Sequence, residues 1–224
     1  MVLLARIHLV QGALMRLERN WRCTERKKAL ILTGPKVRAL GYADQVAKSV
    51  SAAGIEFEIY DKAVVNPTAE SVHAAFEYIK DKSFDAIVAV GGGSVEDTGK
   101  ALKHLYGYPD QKINDIAIGP GFKYYPKNTS VMLITVCTMN GTGCELSAGA
   151  VITNPEGQKD SISSGNTIPH KQDLFSGLFA SAVVRRNWRS IHDDTAPQSK
   201  NSCEVEKTYG KLKNIPYNCR FIRL

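Results

Sequence analysis

Short apolar runs alternate along the chain with longer stretches whose apolar residues recur at helical spacing. Ala29-Leu30-Ile31-Leu32-Thr33 is apolar until its end and stops at Gly34-Pro35, which reads as a buried strand entering a loop. From Tyr42 to Ala53, Val46, Val50 and Ala53 share one helical face, and Gly54 stands where a helix C-terminal glycine belongs. Phe57-Glu58-Ile59-Tyr60 reads as a second strand. Asn66-Pro67-Thr68 then precedes Val72, Ala75, Phe76 and Ile79 at helical spacing, with Thr68 as the expected N-cap. Ala86-Ile87-Val88-Ala89-Val90 is apolar at every position, as a strand buried on both faces should be. This order predicts βαβ units with right-handed crossovers, hence an α/β fold on a parallel sheet.

Beyond Tyr106 the pattern loosens into a Gly/Pro/Lys-rich stretch that lasts to about Ser130. Strands are predicted again at Val131 to Val136 and at Ala148 to Thr153, the latter ended by Asn154-Pro155. Past about Lys171 the character changes: Leu174 to Val184 is apolar, and the remainder is polar, basic and weakly periodic.

Two glycine-rich loops carry the candidate chemistry. Val90-Gly91-Gly92-Gly93-Ser94-Val95-Glu96-Asp97 follows an apolar strand and opens a helix. That arrangement aims backbone N–H groups and a helix dipole at one point, an anion site suited to phosphate. Glycine lets a ligand approach the backbone, Ser94 can cap the helix or donate to a phosphate oxygen, and Asp97 is expected in the first turn. The spacing is neither G-x-G-x-x-G nor the Lys-bearing P-loop, so an ordinary tight turn stands beside the phosphate reading. The second loop, Thr138-Met139-Asn140-Gly141-Thr142-Gly143-Cys144-Glu145, also follows a strand. Ligands bind at that edge of open parallel sheets, and two such loops suit a nucleotide-sized ligand.

Four blocks in order, Asn66-Pro67-Thr68, GGGSVEDTGKA (91–101), TMNGTGCE (138–145) and AGAVITN (148–154), resemble the iron-containing (metal-dependent, group III) alcohol dehydrogenases. The last block is most similar to the butanol dehydrogenase-type branch. Val10-Gln11-Gly12-Ala13-Leu14 resembles the family's opening segment, and the likeness runs from about Ile7 to about His170. The resemblance implies a Rossmann-like NAD(P)-binding domain followed by a helical domain that holds Fe²⁺ or Zn²⁺. The metal polarises the oxygen of a small primary alcohol or aldehyde, and hydride passes to or from the nicotinamide. It further implies that Gly92, Gly93 and Ser94 hold the pyrophosphate, with Gly91 among the cofactor-binding residues and Asp97 supporting that turn. Thr138 and Thr142 would contact the phosphate and nicotinamide ribose, Lys159 the cofactor, and Asn66 would line the adenine side.

Departures from the family sharpen the expectations. NAD-preferring members carry an acidic residue where this chain has Gly34. Without that carboxylate a 2′-phosphate is not repelled, and Lys36 or Arg38 could pair with it, which predicts tolerance of NADP. Solvated surface charges are the alternative reading of those two cations. Cys137 replaces the family's proline and Cys144 its serine; with no histidine nearby in sequence, Cys144 reads as a small packed residue rather than a reactive thiol. None of His8, His73, His104, His170 and His192 lies in the family's metal-binding pattern, and His192-Asp193-Asp194 reads as a polar loop. The expectation is a nucleotide-binding domain over 1–170 and a basic, partly disordered tail over 171–224. The helical metal domain and its ligands would then be missing, as after a truncation, frameshift or alternative splice. Turnover would then be doubtful, and a non-catalytic NAD(P)-binding remnant or interaction module is the alternative.

Charge and cysteine usage narrow the remaining classes. The net charge of +7 resides at the ends, with 1–28 and 171–224 each at +5 and 29–170 at −3. The tail shows no aromatic–basic platform and no recognised motif, so neither nucleic acid nor a membrane surface is expected as a partner. Cys23, Cys137, Cys144, Cys203 and Cys219 are odd in number and form no C-x-x-C, which argues against a disulfide framework and for a reducing, cytoplasmic setting. Met1 to Arg22 reads either as a mitochondrial presequence or as an ordinary first strand and turn. A homodimer is a further possibility.

Overall fold

The structure, a computed structural model, describes residues 26–139, 144 and 147–167. The N-terminal segment, Thr142, His170, His192 and the tail from Lys171 lie outside the described residues.

Four parallel strands form the main sheet in the order β2-β1-β3-β4: β1 (Lys28–Thr33), β2 (Glu56–Tyr60), β3 (Ala86–Gly91) and β4 (Met132–Cys137). β1 is central, with Leu30 opposite both Glu58 of β2 and Ile87 of β3. Period-two alternation sends neighbouring residues to opposite faces, so each apolar strand feeds two cores. Ala29, Ile31, Val88, Val90, Ile134 and Val136 pack on one face against Ala43, Val46 and Val50. These last three belong to α2 (Tyr42–Ala52), which follows a short α1 (Pro35–Ala39). Leu30, Leu32, Ile87, Ala89 and Leu133 pack on the other face against α3 (Ala69–Ile79) and α4 (Gly93–Gly107).

The expected helix ends are present. Gly54 follows α2 with φ +77°, in the left-handed region that glycine enters without penalty. Thr68 caps α3, its Oγ1 accepting the Ser71 N–H at 3.1 Å while Ser71 Oγ accepts the Thr68 N–H at 3.0 Å. Proline sets the start of α1, a helix that the periodicity did not suggest because it has no buried residue.

The predicted strand at 148–153 needs correction. It is shorter, β5 (Ala150–Thr153), and it stands outside the parallel sheet. It pairs antiparallel with β6 (Lys159–Ile162), a strand absent from the sequence reading. Lys159-Asp160-Ser161-Ile162 ends in a single apolar residue, so its alternation is too weak to see. The ribbon packs Ala150, Ile152 and Ile162 into the same core as α3 and α4. A 3-10 helix (Ile113–Ile116) sits within the loosely patterned stretch and buries Ile113 and Ile116 there as well. Among the described residues, no helix is long and apolar enough to cross a membrane.

Candidate functional site

The chain leaves β1 towards one face of the sheet and leaves β3 towards the other. The loops after these adjacent strands therefore diverge, and a crevice opens between their C-terminal ends, where open α/β sheets bind ligands. Thr33 Oγ1 closes the floor by donating to the Val90 carbonyl at 2.8 Å. Gly34 borders the crevice from β1, and Gly91 and Gly92 border it from β3.

The three glycines before Ser94 differ in what they do. Gly91 ends β3, and a Cβ there would lie 2.5 Å from Val95 Cγ2, so the first turn of α4 can fold down only over a glycine. Gly92 is the N-cap of α4 and Gly93 its first residue. The Gly93 and Ser94 amides thus open the helix without intrahelical partners, as an anion site requires. Ser94 is inside the helix and does not cap it. Its Oγ instead accepts the Asn66 N–H at 3.2 Å.

Asn66 joins two more of the predicted positions. It holds φ +53°, a left-handed conformation that asparagine tolerates better than most residues. Its Oδ1 accepts from Lys159 Nζ at 3.2 Å. Ser94, Asn66 and Lys159, distant in sequence, thereby form one chain of contacts along the crevice. Thr138 is brought to the same edge, its N–H donating to the Gly91 carbonyl at 2.8 Å. Met139, 69% exposed, lies over Gly92.

Asp97 is placed differently from the expectation. The helix starts at Gly93, so Glu96 is the acidic residue of the first turn and Asp97 is one step further on. Asp97 faces β5, beside the Val151 N–H, and lies 3.9 Å from Lys100 Nζ. Burial pushes its carboxyl above the usual range, opposed by Lys100 and by the Val151 N–H. Asp97 therefore docks the ribbon on α4.

At Gly34 a Cβ would come within 3.0 Å of the Ala63 carbonyl oxygen, which favours the absence of a side chain there. Of the two nearby cations, Arg38 is paired with Asp44 at 2.6 Å, while Lys36 is exposed.

Three features of the site escaped the sequence reading. Lys100 is fully buried, and its Nζ donates to the carbonyls of Cys144 at 2.6 Å and Gly149 at 2.7 Å. Glu96 is 1% exposed and accepts from both cysteine thiols. Gly99 lets α4 approach the sheet, since a Cβ there would lie 3.1 Å from Leu133 Cδ1 and 3.3 Å from Ala89 Cβ. The available signal was the Glu96/Lys100 spacing of one helical turn, which reads equally well as a surface ion pair.

Comparison with known proteins bears on this geometry. The sequence model of the family "Iron-containing alcohol dehydrogenase" matches residues 5–171. The chain is 39% identical over 135 residues to a mitochondrial hydroxyacid-oxoacid transhydrogenase of Caenorhabditis elegans, covering 58% of this chain and 28% of that protein. It is 36% identical to an NAD-dependent methanol dehydrogenase of Bacillus methanolicus, over 57% of this chain and 32% of that one. Among solved structures, the NADH-dependent butanol dehydrogenase A of Thermotoga maritima superposes with a TM-score of 0.66 at 29% identity, covering 78% of this chain and 43% of that chain. An iron-containing alcohol dehydrogenase of Thermococcus thioreducens gives 0.70 at 28% identity, covering 78% and 46%. The chain thus spans less than half the length of each of these relatives.

Proposed function

The chain belongs to the iron-containing alcohol dehydrogenase family, and on that premise we propose that it binds NAD(P)(H) for hydride transfer with a small primary alcohol or aldehyde. The observation that carries this reading is the β3–Gly92-Gly93-Ser94–α4 turn, which opens at the crevice between β1 and β3. In this reading the Gly93 and Ser94 amides hold the pyrophosphate, and the absence of a Gly92 side chain lets it approach. Asn66 orients Ser94 from one side and positions the Lys159 ammonium on the other, where a cation faces a phosphate oxygen. Thr138 lines the nicotinamide side. When bound, the cofactor supplies the hydride donor or acceptor.

The relatives carry related names: the Thermotoga maritima protein is described as NADH-dependent, and a sulfoacetaldehyde reductase from Bifidobacterium kashiwanohense, 25% identical with a TM-score of 0.67, was solved with NAD⁺. For this chain we favour acceptance of NADP(H) as well, because Gly34 presents no carboxylate to a 2′-phosphate and Lys36 is exposed beside it. Arg38 supports this less, since Asp44 already neutralises it. Cys137 and Cys144, which donate as thiols to Glu96, support a reducing, cytoplasmic setting.

Among the described residues no group of three His, Cys, Asp or Glu side chains could hold a metal ion. His73 Nε2 accepts the Ile113 N–H at 3.2 Å, and His104 is enclosed in the core.

The test is reduction of butanal by NADH and by NADPH, with Fe²⁺ or Zn²⁺ supplied, alongside direct cofactor titration. Binding of both cofactors within about tenfold of each other, about 1.4 kcal/mol, is expected. Absence of binding by either would overturn the reading.

A further inference from the structure

The cofactor reading gives no task to Glu96, yet its surroundings are specific. It lies in the first turn of α4 and is 1% exposed. Cys137 Sγ donates to its Oε1 at 2.7 Å, and Cys144 Sγ donates to its Oε2 at 2.9 Å. Cys137 is the last residue of β4, paired in register with Gly91, and Cys144 lies seven positions on. One buried carboxylate thus grips both ends of the segment that begins with Thr138. One turn further along α4, Lys100 Nζ donates to the Cys144 and Gly149 carbonyls and to Ser147 Oγ at 3.3 Å. Cys144 is held twice, by side chain from Glu96 and by main chain from Lys100.

The chemistry suits such a grip. A carboxylate removed from water needs donors, and a bond to an ionised acceptor is about twice as strong as a neutral one, which compensates for the weakness of a thiol donor. The same negative charge opposes ionisation of the sulfurs. A thiol that stays protonated is a poor nucleophile even where it is half-exposed, as Cys144 is.

We propose that Glu96 is a positioning residue that latches Cys137 and Cys144, fixing Thr138 against Gly91 beside the pyrophosphate turn and keeping both thiols protonated. The part concerning the cofactor rests on the nucleotide reading above; the part concerning the thiols does not.

The full chain is compared with Glu96→Gln, with the double variant Cys137→Ser/Cys144→Ser, and with the double variant Cys137→Ala/Cys144→Ala. Two quantities are read: the dissociation constant of NADH, and the pH midpoint for alkylation of Cys144 by iodoacetamide, located by mass spectrometry. Glu96→Gln is expected to weaken NADH binding about fivefold or more, roughly 1 kcal/mol. It should also lower the alkylation midpoint by about one pH unit, because the neighbouring charge is gone. The serine pair, whose hydroxyls still donate to the carboxylate, should bind NADH within about twofold of the unsubstituted chain, a factor worth about 0.4 kcal/mol. The alanine pair should weaken NADH binding to the same extent as Glu96→Gln. A Glu96→Gln chain with an unchanged alkylation midpoint overturns the proposal, as does one with unchanged NADH affinity. If that variant does not fold, equal NADH affinity in the serine and alanine pairs overturns it instead. Should the unsubstituted chain fail to bind NADH, the nucleotide reading falls, and the alkylation midpoint still decides whether Glu96 governs the thiols.

Discussion

His104 lies wholly inside the core on α4, with Nδ1 2.9 Å from Ser164 Oγ and its ring stacked on Tyr108 at 5.1 Å. Its Nε2 is buried without a hydrogen-bond partner. Desolvation disfavours the imidazolium and pushes the pKa down to about 4. In the unfolded chain the value returns to about 6.5. Between these values the unfolded chain binds a proton that the folded chain refuses, so stability rises with pH across that window. The full contribution is present above about pH 6.5, falls as pH drops, and is exhausted near pH 4; the loss is on the order of 2–3 kcal/mol. Asp97, whose pKa burial raises, acts in the opposite sense just above the ordinary carboxylate range. His104→Phe, which keeps the ring packing, should flatten urea-unfolding free energy between about pH 6.5 and pH 4.5 relative to the unsubstituted chain. An identical slope in both would contradict the assignment. At this scale the glycine turn between strand and helix was readable from the sequence, whereas the placement of Asp97 and the contacts of Asn66 with Ser94 and Lys159 were not. A helix that starts one residue earlier puts Glu96 in the first turn and rotates Asp97 towards the ribbon. No sequence rule places a helix start that finely.

The elements divide in the same way. Strands β1, β3 and β4 were legible because burial on both faces demands unbroken apolar runs, and α2 and α3 because each buries one stripe. α4 obeys neither rule. Every residue from Val95 to Leu105 is buried, including Glu96, Asp97, Lys100, Lys103 and His104. The sheet covers one side of this helix, and the β5–β6 ribbon, which the sequence hid, covers another. Polar residues of this helix are therefore enclosed, and burial, with Lys127 adding to it, pushes Lys103 down to about 7. The close approach depends on Gly99. In Gly99→Val the added atoms would meet Leu133 and Ala89, where a Cβ alone is already tight. A loss of roughly 1–3 kcal/mol is expected from such overpacking, beyond the small helix-propensity change. Chemical denaturation measures it; a variant as stable as the unsubstituted chain would mean that α4 can move off the sheet without cost.

On the scale of the whole molecule, the strand order β2-β1-β3-β4 places the crevice where β1 and β3 part, with α4 aimed into it. The parallel sheet and a binding edge at the C-terminal ends of its strands followed from alternating patterns and the handedness of βαβ crossovers; the strand order that sets the crevice between β1 and β3 did not. A ligand seated there binds only the folded chain and raises its stability by about 2.7 kcal/mol at a hundredfold excess over the dissociation constant. For a domain of this size that is a rise in Tm of several degrees. Gly92→Asp separates this linkage from stability itself. Gly92 holds φ −94°, which any residue adopts, and among the described residues the nearest atoms to a Cβ there are those of the Met139 side chain, from 3.6 Å. Aspartate is also among the best N-caps, worth about 1 kcal/mol over residues that cannot cap, and its charge suits the N-terminal end of the helix dipole. The variant should therefore melt no lower than the unsubstituted chain without cofactor. Its carboxylate would nevertheless occupy the position assigned to the pyrophosphate, so the rise in Tm with NADH should disappear. Melting curves of both chains with and without NADH measure the two effects together. A variant that keeps the cofactor-dependent rise would place the phosphate elsewhere than on α4. One that loses stability without cofactor would mean that the turn depends on Gly92 for its own folding and not only for the ligand.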